Sequence, residues 1–325
     1  MAIIKSIVYY RYMFATLKNH PYRYATALAL ITAVISGTNN FLTKIAVTAV
    51  KDPIVFTTLK NAIVAAFLIG IILMLGKWRE IISLTRGQML RLLAIGAIGG
   101  SVPFALFFAG LMKTSALNAG LIHKTLFVWV LLLAVPFLKE RFSLLQWVGV
   151  GALFAANFVV GGFKGFNFNM GELMVLGATL LWAVENVIAK VALKDISSIT
   201  VAGARMIVGS LILFAFVLGK GSTVPRSALS LEQWGWTALT SVLLLGYVLT
   251  WYTALKHAPA TYVAALLVPA TLVTNALTAI FITHTLNGVQ LTQMALLILG
   301  AILVSLFAKK ATAITPTIIS ARASV

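Results

Sequence analysis

The sequence predicts an all-α integral membrane protein with about ten transmembrane helices, arranged as two inverted repeats of five helices each. Three observations predict this fold. The composition is strongly apolar, the apolar residues fall into ten runs of membrane-spanning length, and the second half of the chain repeats polar features of the first. Together they exclude a soluble globular domain, whose apolar segments are shorter and separated by more charge.

Composition excludes several classes of protein. Hydrophobic residues make up 61% of the chain and charged residues 10%, whereas a soluble domain has roughly 25% charged residues. The net charge of +18 would suit nucleic-acid binding, but the basic residues lie between apolar runs and are not clustered. That distribution is typical of membrane proteins, so we expect a lipid bilayer and no nucleic acid as partner. With no cysteine in the chain, disulfides and thiolate metal sites are excluded.

The apolar runs have the length of roughly 17–25 residues that a transmembrane helix needs. Short polar or turn-forming links separate the runs, and none of these links is long enough to hold a soluble domain. Each run therefore predicts one transmembrane helix. The runs lie at about residues 25–46, 54–76, 90–110, 116–138, 144–162, 171–192, 198–219, 235–255, 261–283 and 290–308.

Polar residues of the first run recur in the sixth run. Asn40 and Lys44 match Asn186 and Lys190 at a constant offset of 146 positions. Five runs lie in each half of the chain, and because five is odd, the second repeat must start on the opposite side of the membrane. Inverted repeats of this kind build alternating-access carriers. The predicted segments are a basic interfacial segment at 1–24, the repeats at 25–163 and 170–308, and a tail at 309–325.

The positions of lysine and arginine predict the orientation of the chain. If the N-terminus is cytoplasmic, sixteen of these residues fall in cytoplasmic segments and six in outer segments. This bias is the one that the positive-inside rule requires. We therefore expect both termini in the cytoplasm and the chain in the inner (cytoplasmic) membrane of a bacterium.

The first and sixth runs carry polar groups at mid-depth. In the first run, Ser36 and Asn39 lie on one helical face, bordered by Asn40. Lining of a cavity and hydrogen bonding between helices both explain such a face; we favour a cavity for the two asparagines. The matching positions of the sixth run hold Trp182, Glu185 and Asn186.

Ionisable groups inside a membrane are costly, which points to function by default. Glu185 is the one acidic residue well inside a run, and His123 and Lys124 lie near the middle of the fourth run. A lysine at this depth needs an anionic partner, which is either a protein carboxylate or a ligand, or it loses its proton. Glu185 is the candidate protein partner. A structural ion pair, and a hydrogen-bonded core histidine, are the alternatives to a binding site.

The eighth and ninth runs supply further candidates, Tyr247, Trp251, Thr271 and Asn275. Thr271 and Asn275 are one helical turn apart and share a face. Pro269 is expected to kink the ninth helix.

The second and seventh runs each carry a cation two turns from the start, Lys60 and Arg205. We expect these two side chains to pin their helices to neighbours, with substrate binding as the alternative. The glycines form no phosphate-binding loop, and the four histidines lack metal-ligand spacing. We therefore expect no catalytic residues, no metal and no cofactor.

The two repeats resemble a known family. LLWAVENVIAKVALKD, with ARMIVGSLILF after it, is similar to the opening of an EamA-type repeat of the drug/metabolite transporter superfamily, and FLKERFSLLQWVGVGALFAANFVVGG is similar to its end. The resemblance implies ten helices around a central cavity, with both termini cytoplasmic. The chain departs from the family pattern at Thr125, where the fourth helix usually has proline, and at His284, where the first repeat has Glu140.

The sequence thus predicts a secondary transporter that exports a small polar metabolite, an amino acid or a related carboxylate, by alternating access. A non-transporting scaffold or sensor on the same fold is the alternative. Proton coupling and the oligomeric state are left open. The predicted substrate-binding residues are Ser36, Asn39, Asn40, His123, Lys124, Trp182, Glu185, Asn186, Tyr247, Trp251, Thr271 and Asn275.

Overall fold

The computed structural model describes residues 20–50, 53–159, 165–219 and 229–307, and every regular element within these ranges is a helix. The predicted all-α membrane fold is confirmed. The helices are α1 (Pro21–Val50), α2 (Pro53–Met74), α3 (Trp78–Ile82), α4 (Arg86–Gly100), α5 (Val102–Leu111), α6 (Ala116–Lys124), α7 (Leu126–Leu138), α8 (Leu144–Phe158), α9 (Met170–Ala192), α10 (Ser198–Gly219), α11 (Leu231–His257), α12 (Ala260–Leu267), α13 (Ala270–Thr278) and α14 (Gly288–Leu306).

Within the described residues, nine helical spans are long and apolar enough to cross a membrane, and α8 is a shorter apolar tenth. The third span consists of α4 and α5, the fourth of α6 and α7, and the ninth of α12, α13 and one wider turn at Ala279–Thr283. Large apolar side chains such as Phe137 and Leu144 are exposed on the outside of the bundle. An apolar surface of this extent is unfavourable in water, so we expect a lipid bilayer to cover these side chains.

Local sequence explains where several helices begin. Four of them start with a small polar residue that caps the third backbone N–H, while a glutamine at that position bonds back to the cap. These capping boxes lie at or just before the starts of the third, fifth, eighth and tenth apolar runs. The pairs are Thr85 with Gln88, Ser143 with Gln146, Ser230 with Gln233, and Asn287 with Gln290.

The two ends of the bundle can be told apart by their carboxylates. At the Glu140 end, this carboxylate accepts from the backbone N–H groups of Ala260 and Thr261 at the start of α12, at 2.6 and 3.0 Å. Both described chain ends lie there, because Tyr22 contacts Tyr262 and the Phe307 carbonyl accepts from Ser143. The other, Glu172 end holds the start of α9. The first span therefore starts at the Glu140 end and the sixth at the Glu172 end, which confirms that the repeats are inverted.

Packing between the helices follows the same symmetry. The second and seventh spans pack on each other (α2 with α10), as do the fifth and tenth (α8 with α14). The contact of α1 with α11 is mirrored by that of α9 with α4 and α5, its counterparts in the other repeat. Each of these contacts between two spans thus recurs between the corresponding spans when the two repeats are exchanged, as an inverted duplication requires.

Glycine allows the fifth and tenth spans to approach closely. A methyl group added at Gly149 would lie 3.0 Å from the Gly300 carbonyl oxygen, and one added at Gly300 would lie 2.8 Å from the Gly149 carbonyl oxygen. The backbones of α8 and α14 are therefore in contact, as small residues permit in membranes. The predicted N-terminal segment (except its last residues) and the predicted tail lie outside the described residues.

Candidate substrate-binding cavity

A cavity of about 120 Å³ lies between the two repeats. Its walls come from α1, α6, α7, α9, α11, α12 and α13 and from the link between α12 and α13, that is, from the first, fourth, sixth, eighth and ninth spans. The lining residues are Ser36, Asn40, His123, Lys124, Leu126, Phe127, Val130, Asn186, Trp251, Ala264, Leu267, Val268, Ala270 and Thr271.

Two broken helices border this cavity. The ninth span is interrupted at Pro269, which has no N–H to donate and separates α12 from α13. The fourth span is interrupted at Thr125, whose hydroxyl donates to the Ile122 carbonyl at 2.6 Å and accepts from the Trp129 indole at 3.0 Å. The threonine therefore stabilises a break at the matching place in the first repeat. Both breaks leave helix ends facing the cavity, a feature also known from membrane carriers.

Lys124 is the last residue of α6 and lies at the cavity wall. Within the described residues, the one ion pair joins Lys77 to Glu80, so no carboxylate pairs with Lys124. The partial negative charge at the C-terminal end of α6 helps to stabilise the ammonium there. Lys124 therefore lies at the cavity wall without a counter-ion among the described residues.

His123 joins an aromatic cluster at the side of the cavity. Its ring lies 4.8 Å from the Trp182 ring and 5.5 Å from the Phe107 ring. The buried Nδ1 atom has no hydrogen-bond partner. Trp182 itself is buried behind His123, and its indole donates to the Gly99 carbonyl at 3.0 Å. His123 thus faces the cavity, while Trp182 holds it in place and ties α9 to α4.

Asn186 is one of the polar residues at the cavity wall. Its side-chain N–H donates to the Trp182 carbonyl at 2.8 Å, and the buried Oδ1 atom has no partner. Across the cavity, Asn40 and Ser36 are presented by α1, and Thr271 lies at the start of α13. The polar part of the wall is therefore made of neutral groups around one cation.

Glu185 faces the opposite side of α9. Tyr252 donates to its Oε1 atom at 2.6 Å and accepts in turn from Arg205 at 3.3 Å. The side chain is fully buried against α4, where a methyl group on Gly99 would lie 2.5 Å from Glu185 Cγ. Glu185 is thus absent from the cavity wall, and the predicted pairing with Lys124 is not seen.

Seven of the twelve predicted site residues line the cavity, and five do not. Tyr247 stacks on Trp251 with ring centroids 6.0 Å apart, and Asn275 donates to Gln293 at 2.7 Å. Asn39 has a buried, unpartnered Oδ1 atom and lies outside the lining. Trp182 and Glu185 pack behind the wall, as described above.

Sequence reasoning missed the role of Tyr252. The sequence has one carboxylate and three cations well inside its runs, namely Glu185 with Lys60, Lys124 and Arg205. The charges alone cannot show which cation lies nearest to the carboxylate. A tyrosine in the eighth span was the available signal, because a buried phenol needs a hydrogen-bond partner. Arg205 pins its helix to a neighbour, as predicted.

Two carboxylates close the Glu140 end, and each joins one repeat to the other. Besides the bonds of Glu140 to α12, Glu80 accepts from the Ser197 N–H at 2.8 Å and from the hydroxyls of Ser197 and Thr200. Partial burial acts to raise the pKa of Glu80, but these hydrogen bonds and nearby Lys77 outweigh it and lower that pKa. The stabilisation is therefore present above the ordinary carboxyl pKa and lost as the pH falls through the lowered value.

Comparison with known proteins agrees with this architecture. A model of the EamA-like transporter family matches residues 23–162 and 169–306. An uncharacterized transporter of Methanothermobacter thermautotrophicus is 26% identical over 191 residues, which is 56% of this chain and 54% of that protein. The uncharacterized transporter YyaM of Bacillus subtilis is 26% identical over 173 residues, which is 51% of this chain and 56% of that protein.

The fold also matches a solved crystal structure with a TM-score of 0.72 at 18% identity, covering 87% of this chain and 99% of the other. The alignments with the two named relatives span little more than half of each relative's length. The family model, in contrast, covers both repeats. The chain therefore belongs to the EamA-like transporter family.

Proposed function

We propose that this protein is a secondary transporter that moves a small carboxylate-bearing metabolite through the cavity by alternating access, with no chemical change to the solute. The observation that carries the proposal is the composition of the cavity wall. Both repeats contribute to it, and it combines an unpaired cation, neutral hydrogen-bonding groups and an apolar surface. A scaffold or sensor has no need of an unpaired charge at this depth, which is costly to maintain.

Unequal packing at the two ends supports alternating access. At the Glu140 end, α7 packs on α12, and Glu140 ties the two spans together. Toward the Glu172 end, α6 and α13 make few or no contacts with each other. The cavity is therefore closed at one end, as in one of the two states that a carrier alternates between.

The orientation follows from the charge bias of the sequence. We place the Glu140 end, with both chain termini, in the cytoplasm of a bacterium, because the segments at that end carry most of the lysine and arginine. The solute would then leave toward the Glu172 end. Export remains a prediction from the sequence, and reconstitution in vesicles of known orientation measures it.

The decisive experiment is a solute screen with purified protein in proteoliposomes. A mixture of amino acids and organic acids is enclosed, and the loss of each is followed by mass spectrometry against protein-free vesicles. We expect a saturable loss of one class of carboxylate, slowed by Lys124→Met. Loss of every solute at the protein-free rate would contradict transport and favour a scaffold or sensor.

A further inference from the structure

The cavity wall contains a cation and no carboxylate. Of the seven acidic residues in the chain, Glu80, Glu140 and Glu172 accept hydrogen bonds from groups at or beside helix starts, and Glu185 accepts from Tyr252. Asp195 and Glu232 are exposed at the ends of the bundle, and Asp52 lies outside the described residues. None of the described carboxylates lines the cavity. Among the described residues, the one ionisable side chain of the wall that is a strong base, Lys124, is therefore not balanced by an acidic side chain.

This lack of a balancing acidic side chain has a structural cause on α9. Asn186 and Glu185 are adjacent in sequence and lie about 100° apart around a helix. Asn186 faces the cavity, whereas Glu185 faces α4 and α11, where Tyr252 holds it. Turning Glu185 toward the cavity would break that bond and move a side chain packed against Gly99. The carboxylate is thus held away from the solute.

The positive charge of Lys124 repels a second cation in the same small cavity. An ammonium group on the solute would lose its hydration and meet only a neutral acceptor in exchange, on a lining residue such as Ser36 or Thr271. A single neutral acceptor does not offset the desolvation of a charge. A carboxylate on the solute gains the unpaired Lys124, and its partial desolvation strengthens that attraction. The cavity therefore discriminates between the two halves of a zwitterion.

The remaining wall suits a hydrocarbon body. The apolar part of the wall is formed by large side chains, among them Phe127, Val130, Trp251 and Leu267. The hydroxyls of Ser36 and Thr271, which also line the cavity, can hydrogen-bond to a hydroxyl on the solute. A solute with a hydrocarbon chain, one carboxylate and at most one hydroxyl would match the apolar wall, Lys124 and the neutral polar residues in turn.

We propose that the solute is an apolar monocarboxylate, with or without a hydroxyl group, and that amino acids with a free ammonium group are excluded. Calling the bound molecule a transported solute rests on the proposed function. The preference of the cavity for a carboxylate over an ammonium group is a property of the folded protein and can be tested without transport. It narrows the solute class predicted from the sequence, an amino acid or a related carboxylate, because Glu185 does not line the cavity beside Lys124.

Four probes with one branched skeleton test the proposal. They are 4-methylpentanoate, 2-hydroxy-4-methylpentanoate, leucine and 3-methylbutylamine, which differ only in their polar groups. Binding to the purified full-length protein is measured by calorimetry at mildly alkaline pH, where the acids are ionised. We expect both monocarboxylates to bind, leucine to bind at least about tenfold more weakly, and the amine not to bind.

The control variants separate charge from fold. Lys124→Met should abolish binding of the monocarboxylates and Lys124→Arg should retain part of it, whereas Lys60→Met removes a buried lysine outside the cavity and should leave binding intact. Leucine binding as well as 4-methylpentanoate overturns the inference, as does failure of every monocarboxylate to bind. Flux of amino acids in proteoliposomes would leave the proposed function standing and sink this inference; binding without flux would do the reverse.

Discussion

At the scale of single residues, neighbours on one helix have opposite roles. Asn186 lies at the cavity wall, and Glu185 is buried in a hydrogen-bonded chain through Tyr252 to Arg205. The Tyr252 hydroxyl bridges the Glu185 carboxylate and the Arg205 guanidinium. It therefore resolves how the seventh span tolerates an arginine, since a buried charge is stable only when paired or hydrogen-bonded.

Removing the central hydroxyl should be costly. Tyr252→Phe leaves Glu185 and Arg205 without their shared partner, and hydrogen bonds to charged groups contribute about 1.5–3 kcal/mol each. Tyr262→Phe is the matched control, because that buried hydroxyl bonds to the neutral Thr26 hydroxyl at 2.8 Å. We expect a larger fall in Tm for Tyr252→Phe in a thermal unfolding assay, with solute binding retained. Equal falls in Tm would contradict the charge-linked role of Tyr252.

At the scale of elements, the broken spans shape the cavity. Proline interrupts the ninth span and threonine interrupts the fourth, although the two spans are counterparts. Thr125 has φ −73° and ψ −3°, which lets its hydroxyl reach the Ile122 carbonyl three residues back. A side chain thus reproduces in one repeat the break that a missing N–H produces in the other.

Thr125→Val should weaken this break, because it removes a donor to Ile122 and leaves the Trp129 indole without an acceptor. An unsatisfied buried donor costs about 1–3 kcal/mol. We expect a lower Tm and slower solute flux in proteoliposomes. Thr179→Val is the control, since that buried hydroxyl bonds back to Val175 within an unbroken helix. Unchanged flux in Thr125→Val would show that the hydroxyl is not needed for the break.

At the scale of the whole molecule, the two ends differ in how they are closed. Glu140 bonds three groups at the start of α12, whereas the counterpart position, His284, is exposed at the other end. Lys190 adds bonds to the carbonyls of Leu255 and Ala258 at the Glu140 end. An inverted repeat is symmetric in its backbone, so such side-chain differences decide which end closes more tightly.

Glu140→Gln should therefore open the Glu140 end more often. A single cysteine replacing Ala264, which lines the cavity, reports this in the cysteine-free chain through its rate of labelling from that side. Losing about 1.5 kcal/mol of charge-assisted bonding corresponds to a rise of about tenfold in the open fraction. Glu232→Gln, at an exposed carboxylate of the other end, should leave the rate unchanged. A rate unaffected by Glu140→Gln would refute the closing role.

The sequence by itself determined the class of fold and the family. The length of the apolar runs, the odd number of runs per repeat and the paired asparagines required an inverted helical membrane protein, because a bilayer permits few other folds for such a chain. Capping residues such as Ser143 and Asn287 marked helix starts locally. The division of the third span at Ser101 was not predicted, since one apolar run does not reveal a backbone break within it.

Tertiary structure alone decided which polar groups meet. The sequence placed Lys124 and Glu185 at similar depth, and their pairing was a reasonable prediction from the cost of burying each charge. The rotation of α9 decided otherwise: it directs Asn186 to the cavity and Glu185 to Tyr252. Depth in the membrane follows from position along the chain, but the direction of a side chain follows from how each helix is turned against its neighbours, and that is fixed only by packing.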